Sequence, residues 1–251
     1  RENKFGISSD SAIPLYQEAA GLDYLQIRGI DCHIGSQITE LQPFVTALER
    51  VLALVDDLQG AGITLDHIDL GGGLGVRYRD EEPVPVDEYA GAILQVLGDR
   101  RHTLMFEPGR YITANAGILL SRVITLKDNE DKHFAVIDAA MNDLIRPALY
   151  HSWQAVRPVN PREGETRTYE IVGPVCETGD FLARNRSLCI QEGDLLAIES
   201  AGAYGFVMSS NYNTRGRAPE IMVSGHEFQC VRERETIDDQ LRLERVFPSP
   251  D

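Results

Sequence analysis

The chain has 251 residues, 43% hydrophobic and 25% charged, which is the balance of a soluble globular protein with one large domain or two ordinary ones. Its net charge of −15 argues against nucleic acid and anionic membranes as partners, since both bind basic faces. No apolar run approaches the roughly 20 residues that span a bilayer, and the first residues do not resemble a secretory signal. The four cysteines are far apart and form no CxxC pair. We therefore expect no metal site, no disulfide and a cytoplasmic location.

In the first part of the chain, strand-like and helix-like segments alternate. Strands are predicted at 26–34, 67–70 and 104–107, with helices at 43–59 and 86–97. Both helices carry apolar residues every three or four positions, so one face of each should be buried. The expected inward residues are Phe44, Leu48, Val51, Leu52, Val55 and Leu58 in the first helix, and Tyr89, Ile93, Leu94 and Leu97 in the second. Strand–helix–strand at this spacing predicts parallel strands.

From about residue 117 the rhythm changes to short strands separated by turn residues. These strands are predicted at 117–126, 133–138, 168–175, 194–199, 220–223 and 227–232, followed by a closing helix at 236–247. The pattern is typical of an antiparallel β domain. The sequence thus predicts an α/β domain over residues 1–116 and an all-β domain over residues 117–251.

Polar and glycine residues follow each strand of the first domain. His33 precedes Gly35 and Ser36, the run 71–75 reads Gly-Gly-Gly-Leu-Gly, and Glu107 begins Glu-Pro-Gly-Arg. Because ligands of parallel α/β folds bind where strands end, this edge is a candidate site. A tight turn explains the glycines equally well, a surface salt bridge explains Glu107 and Arg110, and a lone histidine is more often structural than catalytic.

The second domain carries several weaker candidates. The stretch 176–180, Cys-Glu-Thr-Gly-Asp, offers either a buried thiol and a turn or a thiol and a carboxylate at a site edge. Arg146 and Tyr150 lie in a stretch that reads as a surface loop or as a carboxylate-binding loop. Tyr204 suits either a core position or a phosphate donor. The run 210–217, Ser-Asn-Tyr-Asn-Thr-Arg-Gly-Arg, could equally be a solvated turn.

Taken together, these segments resemble the diaminopimelate decarboxylases. That family lies within the alanine-racemase-like class of pyridoxal-phosphate enzymes, which also holds ornithine and arginine decarboxylases. Seven stretches match in the family's order: Asn3–Ile7, His33–Gln37, Gly71–Gly75, Glu107–Arg110, Asn142–Pro147, Cys176–Asp180 and Gly202–Tyr204. The resemblance implies the C-terminal part of a (β/α)8 TIM-like barrel that binds pyridoxal 5'-phosphate, followed by an antiparallel β domain.

The resemblance also implies roles at the cofactor. His33 would stack on the pyridine ring, and Glu107 would bond the ring nitrogen and keep it protonated. The phosphate would be held by Ser36, by the amides of Gly71, Gly72, Gly73 and Gly109, by Arg110 and by the Tyr204 hydroxyl.

For the substrate, the resemblance implies that Arg110, Arg146 and Tyr150 hold carboxylates, with Tyr204 nearby. Cys176 and Glu177 would reach into the neighbouring site of a homodimer, where Cys176 would protonate the carbon that has lost CO2. The Arg146 segment favours a diacid, because relatives of the ornithine type recognise a bare distal amine.

The chain departs from the family pattern in two places. The family's cofactor-binding lysine lies in a Tyr-Ala-x-Lys-Ala-Asn-like motif on the first barrel strand, whereas the lysines here are Lys4, Lys127 and Lys132. We therefore expect roughly the first five strands and this lysine to be missing and the 251 residues alone to be inactive. The second departure is Thr-Arg-Gly-Arg at 214–217, where Ser-Arg-Pro-Arg is usual, and no function is assigned to it.

The function expected from the resemblance is decarboxylation of meso-2,6-diaminopimelate to L-lysine and CO2, the last step of lysine biosynthesis. The nearest alternative is another decarboxylase of the class, acting on ornithine, arginine or carboxynorspermidine. A non-catalytic protein that binds the cofactor is the alternative from a different class. A racemase is less favoured because the segments of Cys176 and Arg146 are decarboxylase-like.

Overall fold

The computed structural model describes residues 4–247. Asn3, the first residue of one matching stretch, lies outside them, as do the outer ends of the two predicted domains. The chain divides into two compact units, one ending at Ile112 and the other beginning at Thr113. The predicted domain boundary at 116/117 lies four residues further along and stays a prediction.

The first unit is an α/β unit with a parallel sheet. Its elements are α1 (Ser9–Ala20), β1 (Gly29–Asp31), α2 (Gln42–Gly60), β2 (His67–Asp69), α3 (Val86–Leu97), β3 (Thr103–Met105) and α4 (Gly109–Thr113). The sheet order is β1-β2-β3, and both pairings are parallel, with Ile68 of β2 opposite Ile30 and Leu104. Ile68 is fully buried, as expected for a central strand covered by helices.

The apolar stripe of α2 forms the core of this unit. All six of its predicted inward residues are buried, which confirms that prediction. Phe44 packs edge-to-face against Tyr89 of α3, with ring centroids 5.0 Å apart. The prediction for α3 was wrong at Leu94, which is 61% exposed. Leu94 instead lines an open apolar cavity of about 510 Å³ between α3, β3 and α4.

The second unit is built on a six-stranded sheet. Its strands are β4 (Leu119–Asp128), β5 (His133–Ile137), β6 (Val156–Pro158), β7 (Arg167–Val172), β8 (Phe181–Leu188) and β9 (Leu195–Ile198), in the order β6-β9-β4-β5-β7-β8. The predicted antiparallel sheet is corrected to a mixed one, because β5 pairs with β7 in parallel. The connection between them runs through α5 (Arg146–Tyr150) and β6, long enough for the crossover that parallel strands need.

Two strands of this sheet were not predicted from the sequence. β6 has only three residues, and β8 reads Phe-Leu-Ala-Arg-Asn-Arg-Ser-Leu, which lacks a simple apolar alternation. Asn185 has a positive φ of 55° and interrupts the pairing of β8. Arg186, on the same strand, is buried although it is charged. A bulge of this kind shifts side chains between faces and hides the period of two.

The end of the second unit is an exposed hairpin and a short helix. The hairpin pairs β10 (Glu220–Ser224) with β11 (Glu227–Arg232) in antiparallel fashion. The predicted closing helix at 236–247 was wrong in length, because α6 spans only Ile237–Leu241. Thr236 and Asp239 form a capping box, but no residue of α6 is buried. A helix without a packed face has little to extend it. No helix within residues 4–247 is long and apolar enough to cross a membrane.

Candidate active site

The carboxyl ends of β1, β2 and β3 lie side by side in the first unit. Backbone hydrogen bonds continue the sheet past the strands, from Cys32 N to Asp69 O at 3.0 Å and from Glu107 N to Gly71 O at 2.7 Å. His33, the glycine run and Glu107 therefore occupy one edge of the sheet. This is the arrangement expected of a binding site in a parallel α/β fold.

His33 is oriented by the glycine run. The amide of Gly72 donates to Nδ1 of His33 at 3.3 Å, and the ring is exposed at the end of β1. Since Nδ1 accepts, the neutral imidazole carries its proton on Nε2. The structure thus presents a flat, fixed ring at the sheet edge, which is the shape needed to stack on a planar cofactor.

The glycines at 71–73 are required by close packing. A Cβ at Gly72 would lie 2.3 Å from the carbonyl oxygen of Glu107, and one at Gly73 would lie 2.7 Å from that of Gly35. Gly71 has φ of 63° and Gly73 has φ of 100°, a region that side chains rarely adopt. These glycines let the three strand ends approach one another, whatever else they bind.

Several amides of this glycine set already have acceptors within the protein. Gly71 N donates to Asp69 Oδ1 at 2.8 Å, and Gly72 N donates to His33. Gly109 N donates to Glu107 O at 2.8 Å. The phosphate role of these amides stays a prediction, and it requires them to share or exchange these bonds.

Arg110 brings two hydroxyl groups to the same edge. Its Nη1 donates to Tyr78 Oη at 2.5 Å, and its Nη2 donates to Ser36 Oγ at 3.0 Å. The guanidinium also lies 5.8 Å from the centre of the Tyr78 ring. A fixed guanidinium flanked by hydroxyls is a suitable anion receptor.

The donor set of this edge fits pyridoxal phosphate. His33 offers a ring for stacking, the exposed Glu107 offers a carboxylate for a protonated ring nitrogen, and Ser36 and Arg110 offer donors for an anion. A Cβ at Gly109 would meet nothing within 4 Å, so space is open beside this residue. These groups match the predicted cofactor in charge and kind.

Arg146 occupies the first turn of α5 in the second unit. The predicted loop is here a short helix with Pro147 in its first turn, and both residues are buried. The guanidinium of Arg146 lies 5.6 Å from the centre of the Tyr204 ring, within range of a cation–π contact. Tyr204 has φ of 58°, an uncommon conformation for a bulky residue. Tyr150 ends α5 and is exposed.

Asp180 connects the segment of Arg146 with the segment of Cys176. Its Oδ1 accepts from Met141 N at 2.7 Å and its Oδ2 accepts from Val175 N at 2.9 Å. Burial raises the pKa of this carboxyl above its usual value, although the two amide bonds oppose the shift. One buried carboxylate thus fixes both segments, while Cys176 and Glu177 are exposed beside it.

The described residues thus group the predicted site residues within each unit. The first unit brings together His33, Ser36, Gly71, Gly72, Gly73, Glu107, Gly109 and Arg110. The second brings Arg146 against Tyr204 and holds Cys176 and Glu177 near the Arg146 segment through Asp180. The bonding roles of Tyr78, Asn142, Tyr212 and Arg215 were not predicted from the sequence. Only the last three lie in stretches that the sequence had singled out.

Comparison with known proteins agrees with the predicted resemblance. Residues 1–114 match the family described as pyridoxal-dependent decarboxylase, pyridoxal binding domain. The chain is 60% identical over 248 residues to the diaminopimelate decarboxylase of Pseudomonas aeruginosa, covering 99% of this chain and 60% of that protein.

Solved structures of decarboxylases also match the fold of this chain. The diaminopimelate decarboxylase of Helicobacter pylori, complexed with L-lysine, matches with a TM-score of 0.91 and 37% identity, over 97% of this chain and 61% of that one. A lysine/ornithine decarboxylase from Vibrio vulnificus, complexed with cadaverine, matches with a TM-score of 0.78 and 25% identity, over 86% and 60%. The chain spans about three fifths of the length of these relatives. By sequence and by fold, the chain is similar to the diaminopimelate decarboxylases over nearly its whole length.

Proposed function

We propose that this chain is the C-terminal three fifths of an enzyme that converts meso-2,6-diaminopimelate to L-lysine and CO2. The observation that carries the proposal is the 60% identity over 248 residues to a diaminopimelate decarboxylase. The seven matching stretches occur in the family's order. Three of them lie at the sheet edge of the first unit and three lie in the second unit.

Pyridoxal phosphate is the proposed cofactor, and His33 and Glu107 would hold its ring. When bound, the cofactor supplies a conjugated ring that accepts the electron pair left by CO2. The carboxylate of Glu107 would keep the ring nitrogen protonated. Ser36, Arg110, the glycine amides and Tyr204 would bind the phosphate, an anion that suits charge-assisted hydrogen bonds.

Arg110, Arg146 and Tyr150 are the proposed anchors of the substrate carboxylates. A diacid needs cationic groups beyond the reacting centre, and planar guanidinium groups bind carboxylates through two parallel hydrogen bonds. Fixing both ends of the substrate would hold the reacting carbon in one orientation. Tyr204, against Arg146, would orient that anchor and line the site.

Cys176 and Glu177 are the proposed groups from the neighbouring subunit of a homodimer. Cys176 would donate the proton that replaces CO2, and Glu177 would bind a substrate amine. Both side chains are exposed, as required of residues that act at another copy's site. Asp180 would hold them through its bond to the amide of Val175.

The remaining two fifths of the length would complete the barrel. The three-stranded parallel sheet is too small to close a barrel, and β3 is at its edge. Beside it lies the open apolar cavity lined by Leu94, Phe106 and Ile112, each exposed by more than a third of its surface. We propose that missing strands and helices, with the cofactor-binding lysine, pack there, so that the isolated 251 residues are inactive.

A lysine or ornithine decarboxylase is the second candidate, supported by the structural match to the Vibrio vulnificus enzyme. The two candidate functions differ in the substrate's distal end, which carries a carboxylate in the diacid and only an amine in lysine and ornithine. Release of CO2 by the full-length protein with pyridoxal phosphate, from meso-diaminopimelate, lysine and ornithine in parallel, tests the proposal. Strong preference for the diacid supports it, and preference for a substrate with a bare distal amine would reject it.

A further inference from the structure

The run 210–217, which the sequence left unassigned, contacts both substrate-binding segments of the second unit. We refer to residues 210–217 as the bridging segment. It contains a short 3-10 turn at Tyr212–Thr214. On one side it bonds Asn142, four residues before Arg146, and on the other it bonds Glu177.

Arg215 makes the first of these contacts. Its Nε donates to Asn142 Oδ1 at 2.8 Å and its Nη2 donates to the carbonyl oxygen of Asp138 at 2.6 Å. The same Nη2 lies 3.5 Å from Asp143 Oδ2. One planar guanidinium thus holds three points of the stretch leading to Arg146, which a lysine could not reproduce.

Asn142 is held from the other side by the same segment. Its side-chain Nδ2 donates to Ser210 O at 3.2 Å, and its carbonyl accepts from Ser210 N at 2.9 Å. Asn142 is buried, as is Leu144 two residues later. Ser210 and Arg215 therefore fix the position of Asn142. Since Asn142 precedes α5 by four residues, they also fix where α5 begins and where Arg146 lies.

Tyr212 makes the contact with Glu177. Its hydroxyl donates to Glu177 Oε2 at 3.2 Å, while Oε1 accepts from Gly179 N at 3.2 Å. Glu177 is otherwise exposed, and an exposed glutamate samples several rotamers. The phenol therefore reduces the freedom of a carboxylate that is proposed to bind a substrate amine.

The backbone is strained at the two residues between Tyr212 and Arg215, which supports a positioning role for this segment. Asn213 has φ of 55° and Thr214 has φ of 57°, and a β-branched residue in this region is a genuine outlier. Such strain persists where surrounding contacts over-determine the conformation. Here Asn211 supplies them, accepting from Thr214 N at 2.8 Å through its carbonyl and donating from Nδ2 to Arg215 O at 3.0 Å.

We propose that Tyr212 and Arg215 are positioning residues, which set the places of Glu177 and Arg146 without touching the substrate. The inference rests on the proposed function, because Glu177 and Arg146 are substrate groups only in that function. It assigns a role to Arg215, the first arginine of the stretch 214–217, which holds the segment leading to the carboxylate anchor.

Double-mutant cycles in the full-length holoenzyme test this inference. The cycles combine Tyr212→Phe with Glu177→Gln, and Arg215→Lys with Arg146→Lys, and kcat and KM are measured on whichever amino acid the wild type decarboxylates fastest. We expect each positioning variant alone to lower kcat/KM about 10-fold. On the background of its partner's substitution, the same change should have almost no further effect, because the residue acts through that partner.

Arg217→Lys is the matched control. Arg217 belongs to the same segment, but it bonds Asn211 and Glu235 and should leave kcat/KM within about twofold of wild type. Additive losses in both cycles, or an equal loss in Arg217→Lys, would overturn the inference. Wild-type preference among substrates decides the proposed function separately, since the cycles are run on the substrate that is actually used. Tyr212→Phe removes only the hydroxyl that bonds Glu177 and keeps the ring. Its cycle therefore tests the positioning role even if Arg215→Lys folds poorly.

Discussion

Single residues at the sheet edge serve packing and binding together. Gly72 is the clearest example, because its amide orients His33 while its missing side chain admits the carbonyl of Glu107. A strand end with a larger residue could not bring an imidazole and a carboxylate to neighbouring positions. The sequence revealed the glycine run, but not that the close approach of Glu107 explains it.

Gly72→Ala should damage both stability and cofactor binding. The added Cβ would meet the Glu107 carbonyl at 2.3 Å, and overpacking of this kind costs about 1–3 kcal/mol. Because the strand carrying Glu107 must move, we expect affinity for pyridoxal phosphate in the full-length protein to fall at least about 10-fold. Denaturant unfolding and titration with the cofactor measure the two effects.

Gly91→Ala is the control for this substitution. Gly91 lies within α3, is exposed, and a Cβ there meets nothing within 4 Å. Alanine in an exposed helix should stabilise by about 0.5–1 kcal/mol and leave cofactor affinity unchanged. Equal cofactor affinity in Gly72→Ala and wild type would show that the strand ends tolerate separation.

At the scale of elements, the segments with an unbroken apolar period were predicted best, whereas α1 (Ser9–Ala20) and β8 (Phe181–Leu188) were not predicted. The period of α2 is unbroken over 19 residues, so its buried face could be derived directly from the spacing. β8 could not be found in this way, since the bulge at Asn185 and the buried Arg186 break its alternation. The parallel pairing of β5 with β7 depends on a long crossover, and spacing alone does not reveal such contacts.

Leu94 should behave as a buried residue in the full-length protein. The sequence predicted that it faces inward, yet it lies on the open apolar cavity of the 251 residues. If the proposed additional barrel elements fill this cavity, Leu94→Ala will destabilise the full-length protein by about 2–5 kcal/mol, like a core leucine. Unfolding in denaturant gives the value.

Gln95→Ala, at the neighbouring exposed position of α3, should change stability by less than about 0.5 kcal/mol. A similarly small effect for Leu94→Ala would mean that the cavity stays open and that the barrel closes elsewhere.

At the scale of the whole molecule, the proposed chemistry depends on a second subunit. The two units of one chain carry different halves of it: cofactor groups such as His33 in the first, and Cys176 and Glu177 in the second. The resemblance to the diaminopimelate decarboxylases could be inferred from the seven ordered stretches of the sequence alone. That Cys176 and Glu177 act at the site of another copy is implied by the resemblance alone and stays a proposal, because local sequence patterns do not encode the quaternary arrangement.

Mixing two inactive variants should restore activity. In a shared site, a dimer of one His33→Ala chain and one Cys176→Ala chain contains one site with both lesions and one intact site. Random mixing should therefore recover about a quarter of the wild-type activity. The measurement is CO2 release after full-length variants are unfolded and refolded together. Each variant refolded alone serves as the control, and no recovery in the mixture would exclude sites built from two chains in this way.

The central proposal is that the full-length protein binds a diacid substrate through Arg146. Its most direct test is the ratio of kcat/KM for meso-diaminopimelate to that for ornithine, in the full-length wild type and in Arg146→Gln. We predict that the wild type strongly favours the diacid and that the ratio falls at least about 100-fold in the variant, because a charge-assisted carboxylate contact is lost. A wild type that prefers ornithine, or a ratio unchanged by Arg146→Gln, would contradict this claim.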